Sequence, residues 1–87
     1  MKITDMKPGL KVVTVEEIDM FPLAVLPIGL TGTVTAIDLF LGNPTTACVK
    51  IDQPVGDLGE WDNELYVFAE DDTTSPVVAS AFEPRPA

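Results

Sequence analysis

The feature that most constrains the fold is the segment 27–34, which reads Pro-Ile-Gly-Leu-Thr-Gly-Thr-Val. Gly29 and Gly32 lie three residues apart, and glycine adopts backbone angles that a residue with a Cβ reaches only at an energetic cost. The residues at 33–37 then alternate between polar and apolar side chains, which is typical of a half-buried strand. A sharp loop leading into such a strand predicts a small β-barrel. We expect Gly32 at a positive φ or against a close backbone neighbour, because strands otherwise favour β-branched residues.

The charge of the chain disfavours nucleic acid and anionic membranes as partners. Fourteen acidic residues outnumber five basic ones, and the formal net charge is −9. A protein that binds phosphates uses Lys and Arg to displace counterions, yet the five basic residues are scattered along the sequence. No apolar run approaches the roughly 20 residues of a membrane-spanning helix, and the first residues show no apolar signal segment. We therefore expect a cytoplasmic location.

The sequence contains no recognisable catalytic or metal-binding set. There is no histidine to act as the base of a cysteine nucleophile, and Cys48 is the one cysteine, so an internal disulfide is excluded. The four acidic residues between 57 and 64 do not follow the spacing of an EF-hand and indicate a solvated acidic loop. We expect a protein that is not an enzyme and that uses no cofactor or metal.

Alternation and breaker residues divide the chain into three parts. They predict an N-terminal arm at 1–9, a barrel at 10–68 and an acidic, proline-containing tail at 69–87, of which the apolar stretch 77–82 is docked. Within the barrel, strands are predicted at 10–15, 32–38, 45–52 and 64–68. A long first loop is predicted at 16–31, a turn at 39–44 and a second loop at 55–62.

The pattern also predicts which strand residues face the core. In the first strand, Leu10, Val12 and Val15 are expected to point inward, with Lys11 and Thr14 outward. In the strand at 45–52, the core face is expected to carry Ala47, Val49 and Ile51, with Thr46, Cys48 and Lys50 on the other face.

Short motifs give the chain a family resemblance. A G-x-x-G-x-V entry to one strand, a V-K-x-D end to the next and an N-E-L lead into the last are carried by Gly29, Gly32, Val34, Val49, Lys50, Asp52, Asn63, Glu64 and Leu65. This pattern resembles the SH3-like barrels of electron-transport accessory proteins: the barrel-forming accessory protein of photosystem I, the variable chain of ferredoxin–thioredoxin reductase and the nitrile hydratase β-chain barrel. The resemblance implies an all-β, SH3-like barrel of about five short antiparallel strands. It also implies a module that binds or stabilises larger proteins and has no active site of its own.

Large apolar side chains are the candidate interaction residues: Phe21, Phe40, Leu41, Trp61 and Phe82. Trp61 lies between two acidic residues, and tryptophan is common at binding hot spots. It could equally close one end of the barrel. The apolar run at 39–41 needs cover, which a second copy of the chain or the segment around Phe82 would supply.

Two functions follow from these observations. The first is a non-enzymatic protein-interaction or accessory module with a protein partner of unknown identity, and a homo-oligomer is one way to cover the apolar loops. The alternative is an Sm-like or KOW-type nucleic-acid-binding barrel, in which oligomerisation gathers the few lysines. An apolar patch rimmed by acids would favour the first function, and one contiguous basic strip would favour the second.

Overall fold

The described part of the chain is built from strands and two single-turn 3₁₀ helices, which confirms the prediction of an all-β protein. The computed structural model describes residues 1–20, 24–53 and 64–86. The strands are β1 (Lys11–Thr14), β2 (Ile18–Met20), β3 (Ala24–Leu26), β4 (Thr31–Phe40), β5 (Asn43–Ile51), β6 (Glu64–Phe68) and β7 (Phe82–Pro84). The 3₁₀ helices span Ile3–Asp5 and Ala79–Ala81.

Five strands form the main sheet in the order β6-β5-β4-β1-β7, and neighbouring strands run antiparallel. The predicted alternation in β5 is confirmed, because Ala47, Val49 and Ile51 are buried. The predicted long first loop contains a second, two-stranded sheet made by β2 and β3. This small sheet contributes Ile18 and Leu26 to the core.

Both ends of the chain pack against the main sheet. Ile3 and Met6 of the predicted arm are buried, and the Ile3 N–H donates to a carboxylate oxygen of Glu70 at 2.9 Å. The apolar stretch 77–82 lies in the core, where Phe82 is fully buried. Val78 forms an isolated parallel bridge with Phe68 at the end of β6, so this segment connects the β6 edge of the sheet to β7 beside β1.

Two side chains of the predicted first strand at 10–15 are oriented differently from the prediction. Thr14, expected to point outward, is 1% exposed, and Val15, expected inward, is 39% exposed. The Thr14 hydroxyl donates to the Pro27 carbonyl at 2.8 Å and accepts the Leu30 N–H at 2.9 Å. These bonds satisfy a buried polar group and hold the end of the first loop against β1.

We expect Thr14→Val to lower the free energy of unfolding by about 1–3 kcal/mol, because it leaves the Pro27 carbonyl and the Leu30 N–H without this partner. Thr14→Ser keeps the hydroxyl and should cost less. Urea denaturation of the three proteins measures both effects. A valine variant as stable as the wild type would contradict this role of the hydroxyl.

The two glycines of the 27–34 segment serve different geometric needs. Gly29 has a φ of +93°, in the left-handed region that glycine adopts without strain. Gly32 pairs with Val12 on one side and Ile51 on the other. A Cβ on Gly32 would lie 2.8 Å from the Lys50 carbonyl oxygen and 3.0 Å from Val49 Cγ1. The expected close backbone neighbour is therefore confirmed.

Gly32→Val should lower the free energy of unfolding by about 1–3 kcal/mol, because the added side chain displaces β5 at the middle of the sheet. Thr33→Val, one residue along the same strand, is the matched control and should change stability much less. Thermal unfolding followed by circular dichroism compares the variants. Equal melting temperatures for Gly32→Val and Thr33→Val would show that β5 moves to accommodate the valine without loss of stability.

Candidate protein-interaction site

The hairpin between β4 and β5 ends in a two-residue turn at Leu41 and Gly42, closed by the pair Phe40–Asn43. The φ angles are +52° at Leu41 and +82° at Gly42. Positive φ at both central residues is the mark of a type I′ turn, whose twist matches that of the two strands. The strands therefore extend well into the region 39–44 that the sequence predicts as a longer turn.

Three consecutive apolar side chains project from the end of this hairpin. Leu39 is 63% exposed, Phe40 66% and Leu41 86%. We call residues 39–41 the apolar tip. The 77–82 segment lies in the core instead and leaves the apolar tip in solvent. The segment around Phe82, one of the two groups predicted to cover residues 39–41, therefore does not cover them.

Hydrogen bonds at the base of the hairpin fix the direction of the apolar tip. The Thr46 hydroxyl donates to the Asp38 carboxylate at 2.9 Å, and the Thr45 hydroxyl donates to the Asp38 carbonyl at 3.3 Å. The register shifts between Asp38 and Leu39, which turns the tip relative to the rest of the sheet. Pro44, which has no N–H, pairs with Leu39 in this irregular part of the ladder.

Acidic residues lie at the same end of the sheet as the apolar tip. Phe68 pairs with Thr46, so β6 ends roughly 10 Å short of the tip along the strand direction. The run 70–72 follows this end of β6. We call Asp38 together with residues 70–72 the acidic rim. The charges of Lys2 and of the N-terminal ammonium both act on Glu70.

Two carboxylates of the acidic rim are held in the charged form. The hydrogen bond from the Ile3 N–H is the main cause that lowers the pKa of Glu70, with a smaller contribution from its own backbone N–H. The Thr74 hydroxyl, with the N–H groups of Thr74 and Ser75, lowers the pKa of Asp72. Both carboxylates therefore stay charged at neutral pH.

The five predicted interaction residues fall into three groups. Phe40 and Leu41 are brought together at the apolar tip. Phe82 is fully buried, which makes it a core residue of this chain rather than a contact for a partner. Phe21 and Trp61 lie outside the described residues.

The prediction omitted Tyr66 and Ile28, which at 64% and 66% exposure are the most exposed large apolar side chains outside the apolar tip among the described residues. Tyr66 lies on the outer face opposite Cys48. The sequence does indicate this exposure: Tyr66 lies between Leu65 and Val67, which are buried, and neighbouring strand residues point to opposite faces.

The surroundings of Cys48 do not activate its thiol. Burial raises the pKa of the Cys48 thiol, and the negative charges of Asp38 and Glu64 raise it further, so the nucleophilic thiolate is disfavoured. Within the described ranges, no group of three or more Cys, Asp or Glu residues could hold a metal ion. In the same ranges, no helix has the length and apolar character to cross a membrane.

Comparison of the chain with protein-family models, curated proteins and solved structures found no match. No relative therefore transfers a function to this chain, and the site is interpreted from its own geometry.

Replacing Leu41 tests whether its positive φ destabilises the isolated chain. Leu41→Asn is expected to raise the free energy of unfolding by about 1 kcal/mol, because asparagine adopts positive φ more readily than leucine. Leu41→Ala keeps the conformational penalty and is the matched control. Chemical denaturation of the three proteins gives the comparison. A loss of stability in Leu41→Asn would show that the leucine side chain stabilises the isolated chain.

The thiol of Cys48 should react slowly with iodoacetamide at pH 8 compared with the same thiol in the denatured chain, because its raised pKa lowers the thiolate fraction. Asp38→Asn and Glu64→Gln each remove a charge that raises this pKa, so each should speed alkylation. Asp71→Asn, a carboxylate that does not act on Cys48, is the control. Mass spectrometry of timed samples measures the rates. Identical rates in all variants would leave burial as the single cause.

Proposed function

We propose that this protein is a non-enzymatic interaction or accessory module that binds a protein partner through its apolar tip. One observation carries the proposal: three adjacent apolar side chains are 63–86% exposed at the end of an ordered hairpin. Large apolar side chains grouped on an exposed part of the surface mark interaction sites in soluble proteins. Acidic residues at the same end of the sheet add polar groups beside this apolar surface, and interfaces commonly combine an apolar centre with polar surroundings.

The apolar tip is costly to the isolated chain in two ways, which supports a role outside it. Apolar side chains in water gain none of the free energy of burial, about 25 cal/mol per Å². Leu41 also adopts a positive φ of +52°, which costs a leucine roughly 1–2 kcal/mol. A strained residue that contributes no packing to its own fold points to a function.

The strand arrangement supports the SH3-like character of the proposed module. The sheet is antiparallel with the order β6-β5-β4-β1-β7, so the first and last strands are neighbours. A long connection follows β1, and a 3₁₀ turn at Ala79–Ala81 precedes β7. Both features agree with the accessory barrels that the sequence resembles, and those barrels bind larger proteins.

One observation favours the nucleic-acid alternative. Lys11 and Lys50 flank Thr33 in one row across the sheet, and the Arg85 N–H binds the Lys11 carbonyl beside them. Acids interrupt this row, however: Glu64 pairs with Lys50, and Asp52 lies 3.9 Å from Arg85 Nη1. The row is not a strip of one sign, so protein recognition is the better-supported function. Binding to single-stranded DNA or RNA should be weaker than about 10⁻⁴ M, the weak end of non-specific affinities.

A comparative pulldown tests the proposal. The wild-type chain, a tip variant (Leu39→Ser, Phe40→Ser, Leu41→Asn) and a control variant (Ile28→Ser, Tyr66→Ser) are immobilised, and proteins retained from an extract of the source organism are quantified by mass spectrometry. The control removes exposed apolar side chains away from the apolar tip. We expect a partner that the wild type and the control retain and the tip variant loses. A retained set that the tip substitutions leave unchanged would reject the site.

A further inference from the structure

A second surface feature carries the charge opposite to that of the acidic rim. The start of β1 and the end of β7 border an open cleft of about 510 Å³, lined by Gly9, Leu10, Lys11, Arg85 and Pro86. We call it the basic cleft. The Arg85 N–H donates to the Lys11 carbonyl at 2.9 Å, which sets the two basic residues side by side. This open cleft has room for an apolar side chain.

The lining of the basic cleft combines apolar walls with positive charge. Leu10 is half-buried against the core, and Pro86 lines the same cleft. The Lys11 ammonium donates to the Thr33 hydroxyl at 3.1 Å. The Arg85 side chain is 47% exposed, and Asp52 lies 3.9 Å from one of its nitrogens. A guanidinium has five N–H donors, so this loose pair leaves Arg85 able to bind a further carboxylate.

We propose that the apolar tip of one copy docks in the basic cleft of a second copy of this chain. This inference rests on the proposed function of the tip and names its partner. Leu41, the most exposed residue of the tip, would enter between Leu10 and Pro86. The acidic rim of the first copy would then face Lys11 and Arg85 of the second. Apolar contact and opposite charge thus coincide at one interface.

The fold prevents the same contact from forming within one copy. Val34 is held beside the basic cleft, because its N–H donates to the Leu10 carbonyl at 2.9 Å and its carbonyl accepts the Gly9 N–H at 2.7 Å. From Val34, β4 runs six further residues to Phe40, a distance of roughly 20 Å in an extended strand. The apolar tip therefore points away from its own cleft, and the cleft is filled by another copy.

The contact is heterologous rather than symmetric. A tip-to-tip dimer would place the acidic rims of two copies against each other, and like charges at an interface oppose association. A tip-to-cleft contact leaves one free tip and one free cleft on every pair, so it repeats into an open chain or closes into a ring. The interface is small, and small interfaces form weak, transient complexes. Association should therefore depend strongly on protein concentration.

Complementation between variants tests this inference. The tip variant is again Leu39→Ser, Phe40→Ser and Leu41→Asn, and the cleft variant is Lys11→Glu with Arg85→Glu. Lys50→Glu is a control that changes a cation outside the cleft. Molar mass is followed by sedimentation velocity and light scattering from micromolar to millimolar protein. We expect the mass of the wild type and of Lys50→Glu to rise with concentration. Each variant alone should stay a monomer.

An equimolar mixture of the two variants should give a species of twice the monomer mass that grows no further. The mixture contains one intact tip on the cleft variant and one intact cleft on the tip variant, which pair once and then stop. Circular dichroism checks that each variant is folded, and Arg85→Ser replaces the double cleft variant if that protein does not fold.

Three results would overturn the inference: a wild type that is monomeric at millimolar concentration, a cleft variant that still associates, or a mixture that stays monomeric. These results are distinguishable from failure of the proposed function. A monomeric wild type whose apolar tip still retains another protein from extract rejects self-docking and keeps the interaction module. Loss of both rejects the site itself.

Discussion

The fold depends on the return of the C-terminal segment to the first strand. Phe82 is fully buried and pairs with Thr14, while Val78 bridges to Phe68 on the opposite edge strand of the main sheet. A chain of 87 residues without an internal disulfide has little core to spare. The apolar residues at 77, 79, 81 and 82 complete that core, so the stretch that the sequence presents as an acidic, proline-containing tail is an integral part of the packing.

One part of the β4–β5 hairpin packs in the core, and the other part is exposed to solvent. Its first part carries Val34, Val49 and Ala47 in the core, and beyond the Asp38–Thr46 hydrogen bond its side chains face solvent. The tight turn keeps the exposed end ordered, because two residues with positive φ leave little freedom between the strands. A rigid apolar projection loses less conformational entropy on binding than a flexible loop would.

The sequence predicted correctly those features of the fold that depend on residues close together in the chain. Alternation located β6 and the core face of β5, and the two glycines located the sharp entry to β4. Thr14 was oriented incorrectly because the groups that satisfy its hydroxyl, at Pro27 and Leu30, lie on a distant loop. The turn was predicted too long because Asn43 and Pro44 are breakers, whereas the irregular register accommodates Pro44 within β5. The basic cleft joins residues 9–11 to 85–86, and no local pattern indicates that pairing.

The pairing of β1 with β7 also bears on how the chain reaches this structure. These strands are neighbours in the sheet but lie near opposite ends of the sequence, and such distant contacts slow the search for the native state, typically to milliseconds or longer in β proteins. Until β7 arrives, β1 has a partner in β4 and an open edge on its other side. Open edges and uncovered apolar surface are where partly folded chains join one another. The yield of refolding should thus depend on how fast β7 pairs with β1. Dilution should raise that yield, because it slows association between partly folded chains.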